Sequence, residues 1–222
     1  MADIRPFRAL RFTERAGDIR ELTCPPYDII SESQRLSYLA RNPHNVIRLE
    51  LPRDGADPYA AAGETLRSWL EEGILRQDDE AAFYVYEIEF DLEGMSDISG
   101  MAGGRRSIVG LIAQVHLEEF SKGIVLPHEE TLSKAKEDRF NLMKATHCNF
   151  SQIYSLYDDP DGSIFALVQE LSRREPDQTL TTEDGITHRL WHVTQPDALA
   201  ALSAKFEGKQ LFIADGHHRA AS

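Results

Sequence analysis

The stretch Gln210–Ser222, QLFIADGHHRAAS, decides how the rest of the chain is interpreted. Its apolar run Leu211–Ala214 has the length and residue types of a buried strand. Asp215 and Gly216 then predict a turn, because glycine adopts positive φ without a steric penalty. The following residues, His217–Ala221, predict the first turn of a helix. The stretch is therefore expected to form a strand, a sharp turn and a helix start.

This corner of the chain predicts an anion site. The amides at a helix start have no intrahelical acceptor, and the helix dipole places positive charge there. Arg219 adds a planar guanidinium that can hold a phosphate or carboxylate with two hydrogen bonds. His217 and His218 titrate near neutral pH, so either can move a proton or bind a metal. The alternative is that the two histidines only cap the helix or face solvent.

Composition and charge restrict the class of protein. The 222 residues are 41% hydrophobic and 27% charged, a balance typical of globular proteins, and the formal net charge is −13. That charge opposes binding to nucleic acid or to an anionic membrane through a general basic surface. Cys24 and Cys148 lack metal-site spacing and favour a reducing compartment. With neither a signal peptide nor a long apolar run in the sequence, we expect a cytoplasmic protein that acts on a small molecule. The oligomeric state stays open.

Periodicity along the chain predicts a mixed α/β (α+β) fold, with helices flanking a mixed sheet. The predicted strands are Phe7–Phe12, Val46–Leu51, Phe83–Leu92, Ser107–Leu117, Asn149–Tyr157 and Ile186–Val193. Two predicted helices follow the caps Ser31 and Asp57, one begins at about Ser133, and two more contain Ile164–Leu171 and Leu199–Phe206. The glycine-rich segment 93–106 between two strands is typical of a hairpin tip and lacks the spacing of a dinucleotide-binding loop. No linker is evident, so residues 1–222 are predicted to form a single unit.

The segment Cys24–Asp28, CPPYD, cannot be helical because each proline forces its predecessor into an extended conformation. Such a stiff loop can present Tyr27 and Asp28 with little entropy left to lose. Both are candidate substrate contacts. The alternative is a plain connector in which Tyr27 packs on the core.

A second group of polar residues precedes the helix predicted over Ser133–Ala145. His128 and Glu129 follow a proline, and a hydroxyl residue can cap the helix. A histidine and a glutamate beside a hydroxyl and a basic helix can activate a substrate hydroxyl and stabilise transferred negative charge. The alternative is a solvated charged loop before an amphipathic helix. Candidate substrate contacts in this segment are Thr131, Lys136 and Arg139.

Four motifs in this order, RPFRALR, CPPYD, PHEET and ADGHHR, resemble the bacterial and archaeal family called domain of unknown function 1015. The resemblance runs from Arg5 to the end of the chain. It implies that residues 1–222 are the N-terminal part of a longer protein of about 400 residues.

The ADGHHR turn is also similar to the phosphate-binding turn of the ParB and sulfiredoxin superfamily, which includes free-serine kinases. This likeness implies a nucleotide-phosphate site formed by Asp215, Gly216, His217, His218 and Arg219. Because those kinases use a carboxylate to deprotonate serine, Glu129 is the candidate base here.

The leading hypothesis is an enzyme that transfers a phosphoryl group to or from a small hydroxyl compound such as serine. Glu129, His128 and His217 would be catalytic, and ATP or ADP would be the nucleotide. Asp215 would help to hold Mg²⁺, which offsets the charge developed in phosphoryl transfer.

Two other functions stay open. The first is a metal-dependent hydrolase whose ligands would be His128, Glu129, Asp215, His217 and His218. The second is a non-catalytic nucleotide-binding module, such as a sensor or a partition-like protein.

Overall fold

Strands and helices of the chain group into two compact units. A computed structural model describes residues 2–92, 104–128 and 133–221. Unit 1 comprises Met1–Ala9, Asp79–Glu119 and Tyr157–Gln210, and unit 2 comprises Leu10–Asp78, Phe120–Leu156 and Leu211–Ser222. The sequence pattern predicts one unit over residues 1–222. Each unit contains both helices and strands, so the predicted mixed α/β class is confirmed.

The elements are numbered in chain order over the described residues. The strands are β1 Ile4–Arg5, β2 Leu10–Phe12, β3 Leu75–Gln77, β4 Phe83–Asp91, β5 Arg105–Ile112, β6 Gln114–Val115, β7 Val125–Leu126, β8 Tyr154–Leu156, β9 Gln178–Thr181, β10 Thr187–Val193 and β11 Leu211–Asp215. The helices are α1 Ile19–Leu22, α2 Glu32–Arg41, α3 Ile47–Glu50, α4 Pro58–Glu71, α5 Ser133–Thr146, α6 Ser163–Leu171, α7 Pro196–Phe206 and α8 His217–Ala220. The predicted hairpin tip falls on residues 93–103, outside the described residues, and on the segment leading into β5.

Unit 1 is built on a four-stranded antiparallel sheet with strand order β5-β4-β10-β9. Cross-strand partners share a face of an antiparallel sheet, and this register places the apolar residues of β4 and β10 together. The buried residues of this face are Phe83, Val85, Trp191 and Val193. Helices α6 and α7 bury Ile164, Val168, Leu202 and Phe206. The period-2 pattern of β4 is therefore confirmed as a strand, and at its start Tyr84 on the opposite face is buried as well.

The other face of that sheet carries paired tyrosines and histidines. Tyr84 stacks on His192 and Tyr86 stacks on His188, with ring centroids 5.3 and 5.9 Å apart. The Tyr86 hydroxyl lies 2.7 Å from His188 Nδ1. Burial lowers the pKa of His188 and raises that of Tyr86. These side chains pack as ring pairs within unit 1.

Unit 2 contains the sheet that carries the site. Its central strand β11 pairs in parallel with β7 and antiparallel with β8. In the parallel pair Phe212 lies opposite Leu126. The carboxyl ends of parallel strands meet at the same edge of a sheet. The residues after β7 and after β11 therefore converge, although His128 and His217 are 89 positions apart in sequence.

Helices α4 and α5 pack against each other within unit 2. The Asp57 side chain accepts a hydrogen bond from the Ala60 amide, and Pro58 occupies the first helical turn. At Gly63 a Cβ atom would lie 2.8 Å from the carbonyl oxygen of Ala145. Glycine at this position allows the two helix backbones to approach closely. The caps predicted for α4 and the bounds predicted for α5 are confirmed to within a residue or two.

The strand predicted over Val46–Leu51 is wrong, because residues 47–50 form helix α3. Asn45 is buried, and its side-chain oxygen accepts a hydrogen bond from the Ile47 amide. Its side-chain nitrogen donates to the carbonyl oxygens of Glu21 and Thr23. The alternation of apolar and polar residues alone predicts a half-buried strand. The hydrogen bonds of the Asn45 side chain instead start helix α3, in which Ile47, Leu49 and Glu50 are buried.

A membrane-crossing segment is not found in the part of the chain that the structure describes, where every helix is too short or too polar to span a bilayer.

Candidate functional site

The corner between β11 and α8 has the predicted strand–turn–helix form. Gly216 has φ of 88°, in the left-handed region that glycine adopts without a steric penalty. Strand β11 ends at Asp215, whose side chain is 67% exposed, and α8 begins at His217, which is 3% exposed. The turn thus directs one side chain outwards and the next one inwards.

The side chain of Arg219 folds back over this turn. A Cβ atom on Gly216 would lie 2.8 Å from Arg219 Nη2 and 3.2 Å from Cζ, so only glycine leaves room for the guanidinium. Arg219 Nη2 donates to the carbonyl oxygen of Gln152 at 3.2 Å and to Asp215 Oδ2 at 3.1 Å. Its Nε atom is buried and has no hydrogen-bond partner among residues 2–92, 104–128 and 133–221. A buried donor without an acceptor costs about 1–3 kcal/mol, so Arg219 retains hydrogen-bonding capacity that the described residues do not use.

The same geometry changes how the predicted anion site would work. The sequence predicts exposed amides at the helix start, but Gly216 and His217 are buried and the guanidinium lies against the turn. Helix α8 has only four residues, so its dipole contributes little. The guanidinium of Arg219 is therefore the main group available to an anion.

His128 and His217 form a contact pair at the converging strand ends. Their rings meet edge to face with centroids 4.4 Å apart, and His128 Nδ1 lies 3.1 Å from His217 Nε2. His128 Nδ1 is 2.7 Å from the carbonyl oxygen of Ile213, which can only accept, so Nδ1 carries the proton. His217 Nε2 accepts from the His128 amide at 3.4 Å, so its proton is on Nδ1. In this tautomer His128 keeps the lone pair on Nε2, and its side chain is exposed.

Tyr27 lies between two guanidinium groups. Arg139 Cζ is 4.0 Å and Arg219 Cζ is 5.9 Å from the centroid of its ring. Both distances are in the range of cation–π attraction. Burial raises the pKa of the Tyr27 hydroxyl, and the two arginines oppose this shift. Two of the predicted contact residues, Tyr27 and Arg139, are therefore brought together with Arg219.

Glu50 is a functional candidate that the sequence pattern misses. Its side chain is 4% exposed, and burial raises its pKa, while the Ser151 hydroxyl and the charge of Arg139 pull the pKa down. Ser151 Oγ donates to Glu50 Oε1 at 2.7 Å, and Arg139 Nη1 lies 3.5 Å from the same oxygen. Arg139 Nη1 also donates to the Glu50 carbonyl oxygen at 2.9 Å. A buried carboxylate among charged partners is the usual sign of a functional or ion-pair site.

These contacts close into a ring within unit 2. The ring runs from Arg219 to Tyr27, Arg139 and Glu50, and returns through Ser151–Gln152 to Arg219. Asp138 pairs with Arg139, as Asp215 pairs with Arg219. Both guanidinium groups are thus held in place from more than one side. We call this set of residues the arginine ring.

The other predicted residues are not members of the arginine ring as defined above, and two of them are not among the described residues. Asp28 is exposed, Lys136 is half-buried one turn before Arg139 on α5, and His218 is half-buried on α8. Glu129 and Thr131 lie outside the described residues. The predicted roles of these residues stay predictions.

No group of three or more His, Cys, Asp or Glu side chains has the arrangement of a metal site within the described ranges. Glu129, one of the ligands considered for a hydrolase, is not among those residues. Asp215, which is predicted to help hold Mg²⁺, is exposed and pairs with Arg219.

The fold and the site define a mixed α/β chain with a polar turn at the edge of a mixed sheet. Residues 4–222 match the family described as "Protein of unknown function (DUF1015)", and the chain belongs to that family. The resemblance drawn from the four motifs is thereby confirmed. Searches of the curated proteins and of the solved structures gave no significant match.

Proposed function

We propose that this chain is part of a cytoplasmic enzyme that binds the phosphate of a nucleotide or of a phosphorylated small molecule. The reaction would move a phosphoryl group to or from a small hydroxyl compound such as serine. One observation carries the proposal: Arg219 is fixed over the Gly216 turn while its buried Nε donor has no hydrogen-bond partner in the described residues. A phosphate oxygen would satisfy that donor with a charge-assisted hydrogen bond.

The neighbouring groups supply the other parts that phosphoryl transfer needs. His128 would exchange a proton with the ligand through Nε2, because its Nδ1 is held by the Ile213 carbonyl oxygen. His217 fixes the ring of His128 and completes the pair. Glu129 follows His128 directly in sequence and is the proposed base for the acceptor hydroxyl.

Asp215 has two roles in this proposal. In the structure it pairs with Arg219 at 3.1 Å. With a nucleotide bound, the phosphate would replace this carboxylate on the guanidinium. The exposed carboxylate would then be available to Mg²⁺ on the nucleotide phosphates, the usual place of Mg²⁺ in such sites.

Binding is tested by isothermal titration of the protein with ATP, ADP and inorganic phosphate, each with and without Mg²⁺. We expect Arg219→Ala to weaken binding by about 10-fold or more, the usual cost of losing a hydrogen bond to a charged group. Arg20→Ala is the matched control, because Arg20 also pairs with a nearby aspartate in unit 2 but is exposed. If Arg219→Ala bound all three ligands as the wild type does, the proposed site would be wrong.

Turnover is tested separately. The protein is incubated with ATP or ADP, Mg²⁺ and a pool of hydroxy-amino acids, and new phosphorylated products are sought by mass spectrometry. We expect Glu129→Gln to keep nucleotide binding and to lose product formation. Arg219-dependent binding with no product from any acceptor would instead favour the non-catalytic nucleotide-binding module.

A further inference from the structure

We propose that Ser151 is a nucleophile that accepts a phosphoryl group from a nucleoside triphosphate, with Glu50 as its base. The inference rests on the proposed phosphate site and adds a covalent step to it. Ser151 Oγ donates to Glu50 Oε1 at 2.7 Å, within the range of a nucleophile and its base. Ser151 is half-buried, whereas Glu50 is buried.

A third group orients the base. Arg139 Nη1 lies 3.5 Å from the Glu50 oxygen that Ser151 contacts, and it donates to the Glu50 main-chain carbonyl oxygen at 2.9 Å. Nucleophile, base and orienting group therefore occur in the order that activated hydroxyl nucleophiles show. Because Glu50 is 4% exposed, its carboxylate is a stronger base than one in water.

Two arginines contact the residues that adjoin the Ser151 hydroxyl. Arg139 Nη1 lies 3.5 Å from the carboxylate of Glu50, the proposed base for Ser151. Arg219 Nη2 donates to the carbonyl oxygen of Gln152, the residue after Ser151, at 3.2 Å. Arg219 also provides the buried Nε donor without a partner in the described chain. A phosphate on a serine carries a charge of about −1.5 to −2 and is stabilised by adjacent arginines. The arginine ring thus supplies charge both for the transfer and for its product.

The step balances as a simple displacement. The Ser151 oxygen attacks the terminal phosphorus of the triphosphate and forms a new O–P bond. The bond between that phosphorus and the bridging oxygen breaks, and the nucleoside diphosphate leaves with the electron pair. Glu50 takes the serine proton. A later acceptor hydroxyl, or water, would remove the phosphoryl group and regenerate the serine.

The experiment incubates the protein with ATP and Mg²⁺ and measures intact mass, with tandem mass spectrometry to locate any phosphate. We expect one phosphate per chain, on Ser151. Ser151→Ala should abolish the label, and Glu50→Gln should slow labelling by at least about 100-fold, the lower end of the usual contribution of a general base. Ser155→Ala is the matched control, since Ser155 is a half-buried serine four residues along in the same unit and should leave labelling unchanged.

The outcomes separate this inference from the proposed function, since ATP binding is titrated on the same samples. Arg219-dependent ATP binding without phosphate on Ser151 would overturn the covalent step and leave the phosphate site standing. A label on another residue would overturn it too. Absence of both binding and label would overturn both proposals. Circular dichroism shows whether Glu50→Gln folds. If this variant does not fold, the loss or retention of the phosphate label in Ser151→Ala tests the proposal.

Discussion

At the scale of single residues, Gly216 has two separate reasons to be glycine. Its φ of 88° is strained for any other residue, and a Cβ would collide with the Arg219 guanidinium. We expect Gly216→Ala to lower the free energy of unfolding by about 1–2 kcal/mol through backbone strain. It should also displace Arg219 and weaken phosphate binding. Urea denaturation and titration calorimetry measure the two effects.

Gly123→Ala is the control that separates backbone strain from the displacement of Arg219. Gly123 belongs to the same unit and also has positive φ, 67°, but among the described residues no heavy atom outside its immediate neighbours lies within 4 Å of its added Cβ. This variant should show the loss of stability without the loss of binding. Equal phosphate affinities for Gly216→Ala and the wild type would show that Arg219 does not need its place over the turn.

The ring of Tyr27 is expected to hold Arg219 through its π-face rather than through its hydroxyl. Tyr27→Phe keeps that face and should bind phosphate as the wild type does. Tyr27→Leu removes it and should weaken binding by about threefold, the value of a partly exposed cation–π contact. In the Arg219→Ala background, Tyr27→Leu should not weaken phosphate binding any further. An equal loss in both backgrounds, measured by titration calorimetry, would mean that the effect is only structural.

The buried carboxyl of Glu50 gives stability a specific dependence on pH. Burial raises its folded-state pKa above the ordinary value, so the fold favours the protonated form. The contribution of the Glu50 carboxyl to the free energy of unfolding is fully present below the ordinary pKa of glutamate. It is lost as the pH rises through the pKa of Glu50 in the folded protein. The free energy of unfolding of the wild type should therefore fall relative to Glu50→Gln as pH rises from about 4 to 7. Urea denaturation of both proteins at matched pH tests this, and a constant difference would contradict it.

At the scale of secondary structure, the close approach of α4 and α5 depends on Gly63. Helix propensity alone predicts that Gly63→Ala would stabilise the protein by about 1 kcal/mol. The carbonyl oxygen of Ala145 lies 2.8 Å from the added Cβ, and backbone cannot move as easily as a side chain. We therefore expect a net loss of about 1–3 kcal/mol in the free energy of unfolding. A stabilised variant in urea denaturation would show that the helices are further apart.

The corner at Asp215–Arg219 could be predicted from the sequence because its signals are local. An apolar run, a glycine and polar residues follow one another, and each constrains the backbone directly. Helix α3 could not be predicted in this way, since Val46–Leu51 alternates like a strand. The buried side chain of Asn45 starts the helix through bonds to residues more than 20 positions earlier.

The same limit explains why Glu50 and Ser151 were missed. They are 101 residues apart, and only the fold brings them into contact. The basic helix predicts Arg139 as a substrate contact, and in the structure this residue is 3% exposed and pairs with Glu50. A charged residue is rarely buried without a partner, but no local pattern in the sequence names that partner.

At the scale of the whole molecule, each unit contains one of the two tryptophans. Trp191 belongs to unit 1 and Trp69 to unit 2, and both are buried. Trp191→Phe leaves Trp69 as the fluorescent reporter of the unit that carries the site. Phosphate at 100 times its Kd should stabilise this unit by about 2.7 kcal/mol against urea. An unchanged Trp69 transition, at a phosphate concentration that saturates binding, would place the ligand outside unit 2.

The central claim is that the guanidinium of Arg219 holds a phosphate over the Gly216 turn. The most direct measurement is a crystal structure of the protein with ADP at a concentration that saturates the measured binding. We predict a phosphate oxygen about 3 Å from Arg219 Nε, with Asp215 released from the guanidinium. A nucleotide bound elsewhere, with Arg219 still paired to Asp215, would contradict the claim.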